Sequence, residues 1–164
     1  MRMATPSLIE RLYNALDRHD HETMASCYHA AATFRDIAFD LRGRTRIHAM
    51  WHMICLTDIR ASFVVLDSTA TSARVKLIDE YTFTDTGRRV RNEIESRFEF
   101  ADGVIVEHVD DCDPHLWAAM AFGRTLGFIP GRVRMLRSLK ARLLLRAFIR
   151  KHPQHRETPP PWPQ

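Results

Sequence analysis

Between Ala61 and Asp111 apolar and polar residues alternate along the chain, and two glycine turns, Asp85-Thr86-Gly87 and Asp102-Gly103, interrupt them. A period of two puts successive side chains on opposite faces of a strand. The alternation predicts strands over Ala61 to Leu66, Ala73 to Thr84, Val90 to Ala101 and Val104 to Asp111. The last two form a hairpin, because Asp-Gly supplies the two positive-φ residues of a tight turn. Such a run builds an antiparallel sheet whose apolar face must be covered.

The cover comes from helical segments on either side. Leu8, Ile9, Leu12 and Leu16 recur at helical spacing behind Ser7, predicting a helix from Pro6 to His19. A shorter helix fits Glu22 to Tyr28 with Asp20 as cap. AATFRDIAF reads as a strand, and Thr45 to Cys55 as a third helix. Asp113-Pro114 opens a fourth helix, with Asp as N-cap and Pro at the first helical position, ending near Phe122. Helices gathered on one face of an antiparallel sheet make an α+β fold.

The 164 residues suit one main domain. Charge divides this domain from the C-terminal segment. Residues 1–123 carry 14 Lys+Arg against 19 Asp+Glu, whereas residues 124–152 carry nine Lys+Arg and no acid. The division is thus an α+β domain over 1–123, a basic amphipathic helical extension over 124–152 with its helix from Val133 to Lys151, and a proline-rich disordered tail over 153–164. Val133, Leu136, Leu139 or Lys140, Leu143 and Ala147 mark the extension's apolar stripe. A basic helix of this kind can dock on its own acidic body or on a partner, or make weak contact with a membrane surface through residues 131–151. Its low aromatic content argues against base stacking, so no specific nucleic acid is expected. The first twenty residues hold no uninterrupted apolar stretch of signal type, which gives a cytoplasmic expectation. Cys27, Cys55 and Cys112 form no CxxC pair, so neither a disulfide framework nor a zinc site is indicated.

Strand parity sorts the chemistry-bearing side chains. Val75, Leu77, Asp79, Tyr81 and Phe83 share one face, as do Val90, Asn92, Ile94, Ser96, Phe98 and Phe100. Asp79 is therefore an acid on an apolar face, which must pair, protonate or meet a wet cavity. Asp36 follows Phe34 on the first strand. His108 and Asp110 are two apart and project together, although Ile105 and Val109 compete for the inner face of that strand. Acids and an imidazole on one concave surface can supply general acid and base groups with split pKa values. A structural polar network is the alternative reading.

Ala31-Ala32-Thr33-Phe34-Arg35-Asp36 with Leu41-Arg42-Gly43 resembles the first strand and turn of ketosteroid isomerase and SnoaL-like proteins of the nuclear transport factor 2 superfamily. Phe98 to His108 resembles their last hairpin, and the resemblance spans about residues 7–122. It implies a curved sheet around a conical pocket, a small hydrophobic ligand, and Asp36 as the base. Ser96 falls near the second acid of the oxyanion pair, and Tyr13 near the oxyanion tyrosine. Asp110 and Asp113 are similar in spacing to limonene epoxide hydrolase, which implies Asp110 and Asp79 as its two acids and puts Leu77 at the intervening arginine. The catalytic candidates are Asp36, Asp79, Asp110 and His108. Tyr13, Tyr28, Trp51, Tyr81, Asn92, Ser96 and Phe98 are candidates for contacting the ligand. The family often dimerises through the outer sheet face, where Ile78, Ile105 and Val109 are expected, so a homodimer is the expected assembly.

No phosphate-binding glycine loop is present, so no organic cofactor is expected. His48 and His52 share a helix face at a spacing that can bind metal, but no glutamate completes an HExxH pattern, and no metal site is expected. The functional expectation is an isomerase, cyclase or hydrolase using Asp acid–base chemistry, or else a non-catalytic binding or dimerisation module of the same fold.

Overall fold

The computed structural model describes residues 5–123 and 130–156, with side chains over 7–123 and 138–156. The helices α1 (Thr5–Asp17) and α2 (His21–Ser26) lead into β1 (Tyr28–Arg35), β2 (Asp40–Arg42) and α3 (Arg44–Cys55). Next come four strands: β3 (Arg60–Ser68), β4 (Ser72–Phe83), β5 (Arg88–Ala101) and β6 (Val104–Cys112). The helices α4 (Pro114–Phe122) and α5 (Pro130–Lys151) and a 3-10 turn, Pro153–His155, complete the described chain. One curved six-stranded sheet has the order β2-β1-β6-β5-β4-β3. All neighbours are antiparallel except β1 and β6, which run parallel and are separated in sequence by β2, α3 and the strands β3 to β5.

Alternation does what parity requires. In β5, Val90, Asn92, Ile94, Ser96, Phe98 and Phe100 are all buried, and the residues between them face outward. Asp102 (φ 52°) and Gly103 (φ 79°) make the hairpin turn in the left-handed conformation that a twisted two-residue loop needs. Against the inner face, α1 buries Leu8, Ile9, Leu12, Tyr13 and Leu16, and α3 buries Ile47, Met50 and Trp51. Each fully buried leucine-sized side chain contributes about 1.5–3 kcal/mol, so this interface supplies much of the stability. The outer face is ionic. Arg74–Glu95 (3.1 Å), Lys76–Glu93 (3.0 Å) and Arg91–Glu80 (3.3 Å) pair across strands at half-exposed positions. Such pairs are worth at most about 1 kcal/mol each and mark a hydrated surface. Among the described residues, no helix is long and apolar enough to cross a membrane.

Four sequence expectations need correction. The second helix ends at Ser26, not Tyr28; Tyr28 opens β1 and pairs with Ile105, because its ring is drawn into the core. Ile105 is fully buried, not on the outer face, because the register slips between Glu99↔Glu107 and Phe100↔Ile105. This bulge resets the parity, so Ile105 before it and His108 after it both point inward. One of the three outer-face residues expected at a dimer contact is therefore in the core.

The expected stripe on α5 is also displaced. Leu139 and Leu143 are exposed, while Ala141, Leu145 and Ile149 pack on the core. Leu143, Leu144 and Leu145 are adjacent, so composition could not choose the helix phase. The side chains of Val133 and Leu136 lie outside the described residues. The start of the expected disordered tail is ordered, with His155 buried in the 3-10 turn beside α3; residues 157–164 lie outside the described chain.

Candidate active site

The curl of the sheet and the packing of α3, α4 and α5 enclose a cavity of about 540 Å³, a size that suits a small organic ligand. Its walls are mostly apolar, with Phe34, Phe39, Trp51, Ile54, Leu77 and Trp117 prominent. The polar groups are few. Asp36, Asp79, Asn92 and Asp110 line it, with Tyr81 and, at the side closed by α5, Lys140 and Asp85. Lys140 pairs with Asp85 and so ties α5 to the β4–β5 turn.

Asp110 is held from behind by a buried relay. Its Oδ1 accepts from Ser96 Oγ at 2.5 Å and from His108 Nε2 at 2.8 Å. Ser96 in turn accepts from the Tyr13 hydroxyl at 2.7 Å. On the other branch, Trp51 Nε1 donates to the Tyr28 hydroxyl at 3.1 Å, and that hydroxyl lies 2.7 Å from His108 Nδ1. The directions come from donor counting. Trp51 can only donate, so the Tyr28 hydrogen goes to His108 Nδ1, and His108 carries its own hydrogen on Nε2 facing Asp110. Burial pushes both tyrosines well above the ordinary phenol value, so they keep their protons and serve as donors. Phe98 lies against His108, ring centroids 4.1 Å apart, and fixes the imidazole plane. Both bonds to Asp110 land on Oδ1, while its carboxyl lines the cavity.

Asp79 is the opposite case. It sits on β4 opposite Asn92, with Leu77 and Tyr81 on the same face. Its Oδ1 is buried with no hydrogen-bond partner among the described residues. Desolvation first, then the charges of Asp110 and Asp36, push its carboxyl up to about 7. Asp79 and Asp110 lie on strands either side of β5, opposite Asn92 and Ser96 respectively. The curl of the sheet, not adjacency in the ladder, brings both acids to one cavity. Asp36 joins them, but its Oδ1 accepts from the backbone N–H of Ala38 (2.7 Å) and of Phe39 (2.5 Å). That oxygen is committed to turning the chain from β1 into β2. Burial also raises the Tyr81 phenol, whose oxygen accepts from Trp117 Nε1 at 2.7 Å and so fastens α4 to β4.

The expected site residues thus fall into two layers. Asp36, Asp79, Asp110, Trp51, Tyr81 and Asn92 line the cavity. His108, Tyr13, Tyr28, Ser96 and Phe98 lie in the wall behind it, all 2% exposed or less. Tyr13 and Tyr28, expected to reach a ligand, spend their hydroxyls on Ser96 and His108 instead. Sequence reasoning missed Trp117 as a partner of Tyr81, and missed Lys140, Ala141 and Leu144 as cavity lining. The charge asymmetry left α5 a choice between its own acidic body, a partner and a membrane surface, and gave no sign that it would border the cavity.

Residues 9–108 match the family model of the SnoaL-like domain. A search of curated proteins finds no significant match. Similar solved structures include a protein assigned as a polyketide cyclase from Xanthomonas campestris, 17% identical, with a TM-score of 0.62 over 71% of this chain and 95% of that one. An epoxide hydrolase of the limonene epoxide hydrolase type from M. tuberculosis is 17% identical, with a TM-score of 0.57 over 84% of this chain and 93% of that one. A protein from Catenulispora acidiphila with a ketosteroid isomerase-like fold, in complex with trimethylamine, is 11% identical, with a TM-score of 0.64 over 72% and 94%. At these identities the structures establish a shared fold, and the family match covers more than half the sequence. The chain belongs to the SnoaL-like domain family.

Proposed function

We propose that the protein is an acid–base enzyme, working without an organic cofactor, on a small hydrophobic molecule that carries an oxygen at its reacting centre. The observation that carries this is the contrast between two acids in one apolar cavity. Asp110 is fixed by Ser96 and His108 as an acceptor, whereas Asp79, held near 7 with an orphaned oxygen, is a proton donor at neutral pH. Pairs of carboxyls set apart by environment divide acid and base roles in this way. Asp110 takes a proton from a C–H beside a carbonyl, or from a water. Asp79 delivers one to the carbonyl or epoxide oxygen as charge develops there. In an isomerisation or cyclisation the two protons return at other atoms; in an epoxide opening they reset through solvent after water has added. His108, Ser96, Tyr13 and Tyr28 are positioning residues, since they reach the ligand only through Asp110. The similarity to proteins described as a polyketide cyclase and an epoxide hydrolase supports this reaction class.

A panel of hydrophobic epoxides and cyclisable ketones, assayed for turnover and for binding, tests the reading. Turnover is expected to fall about 100-fold or more in Asp79→Asn and in Asp110→Asn, the usual size of a lost general acid or base. It should also decline above pH 7 as Asp79 loses its proton. Ligands that bind but are not turned over would make the cavity a binding module, and equal turnover in parent and variants would remove Asp79 and Asp110 from the chemistry.

A further inference from the structure

Five of the nine histidines gather at one place away from the acids, which scattered surface histidines would not do. His21 comes from α2, His48 and His52 from α3, and His152 and His155 from the end of the chain. His21 Nδ1 lies 2.8 Å from His48 Nε2. Glu22 Oε1 lies 3.8 Å from the first and 3.6 Å from the second. His52 Nδ1 lies 2.9 Å from His155 Nε2 in the next pair, and the His21 and His52 rings stack at 3.8 Å. His155 is fully buried, yet its Nδ1 has no hydrogen-bond partner among the described residues.

We propose that His21, Glu22 and His48 form a binding site for a divalent transition-metal ion, with zinc as the ion of best fit, which fastens the α2–α3 corner on which the C-terminal segment docks. The three donor atoms form a triangle with edges of 2.8, 3.6 and 3.8 Å. Zinc–nitrogen and zinc–oxygen bonds of about 2.0–2.2 Å in a tetrahedron require ligand separations of about 3.3–3.5 Å, which these edges straddle. Two imidazoles and a carboxylate are a donor set zinc accepts, and Glu22, at the surface, leaves the fourth position to water. Binding needs no net proton release from neutral rings. The ring that bridges the pair with its hydrogen moves that hydrogen to its other nitrogen, and both facing lone pairs then turn to the ion. The His52–His155 pair then lies one ring away, so an ion at the corner stiffens the surface against which His155 and Phe148 pack.

Calorimetric titration of zinc chloride into the chelator-treated full chain, free of any histidine tag, tests this. One ion per chain is expected, together with a rise in melting temperature and a cobalt(II) spectrum of tetrahedral type. The dissociation constant should rise at least tenfold in His21→Gln and in His48→Gln, and several-fold in Glu22→Gln. It should not change in His115→Gln, an exposed histidine remote from the cluster. The Glu22 side chain is 73% exposed, so Glu22→Gln reports on the site without threatening the fold. Absence of saturable binding, or affinity unchanged in His21→Gln, His48→Gln and Glu22→Gln alike, would overturn the proposal.

Discussion

At pH 8 the Asp79→Asn variant melts at least about 5 °C above the parent protein, and at about pH 3, below the unfolded carboxyl value, the two melt together. The reason is the direction of the Asp79 shift. Its folded carboxyl is raised from 3.8 to about 7, so between these values the folded chain holds a proton that the unfolded chain has released. Stability therefore falls as pH rises from about 4 to about 7, and the full penalty applies above the folded value. A shift of that size corresponds to on the order of 4 kcal/mol at pH 8. Asparagine has the shape of the protonated acid and cannot ionise, so it removes the pH-dependent part and leaves the rest. A residue kept at that cost in an apolar cavity points to a functional reason. The same substitution removes the proposed proton donor, so stability and turnover should move in opposite directions. A variant less stable than the parent at both pH values would mean that Asp79 serves packing.

Tyr28→Phe has the largest expected structural effect, a loss of about 3–4 kcal/mol measured by denaturant unfolding. The hydroxyl accepts from Trp51 and donates to His108. Its removal leaves a buried indole N–H and a buried imidazole nitrogen unpaired, each costing about 1–3 kcal/mol. Tyr13→Phe is the control. It takes one donor from Ser96, which still donates to Asp110, so the loss should be about 1 kcal/mol. The branches should also differ in chemistry. Without Tyr28, His108 is no longer held with its hydrogen on Nε2, and Asp110 loses a fixed donor. Equal losses in the two variants would contradict the donor count that assigns the His108 tautomer.

The parts of this protein legible from sequence are those set by local rules. Strict alternation from Val90 to Phe100 marks the inner face of β5. Asp113 caps α4 by accepting from His115 and Leu116, as its place before Pro114 predicts. Asp79 stands out because a charge on an apolar face is conspicuous. The bulge in β6 was not legible, since Ile105, Val106, His108 and Val109 let either parity look apolar. Nor was the division between cavity wall and relay. Tyr28 and His108 are 80 residues apart, and no local pattern records that their polar atoms meet. The histidine cluster escaped for the same reason. His48 and His52 were visible as an i,i+4 pair, but their partners come from another helix and from the end of the chain.

The proposed chemistry requires one cavity carboxyl able to give a proton at neutral pH, beside a second that receives one. A carbon-13 NMR titration of the aspartate carboxyls, with Asp79 assigned by its absence in Asp79→Asn, tests this most directly. Asp79 is expected to titrate at about 7, and Asp110→Asn to lower this value, because a neighbouring negative charge has gone. Titration of Asp79 at an ordinary value of about 4, unchanged by Asp110→Asn, would contradict it.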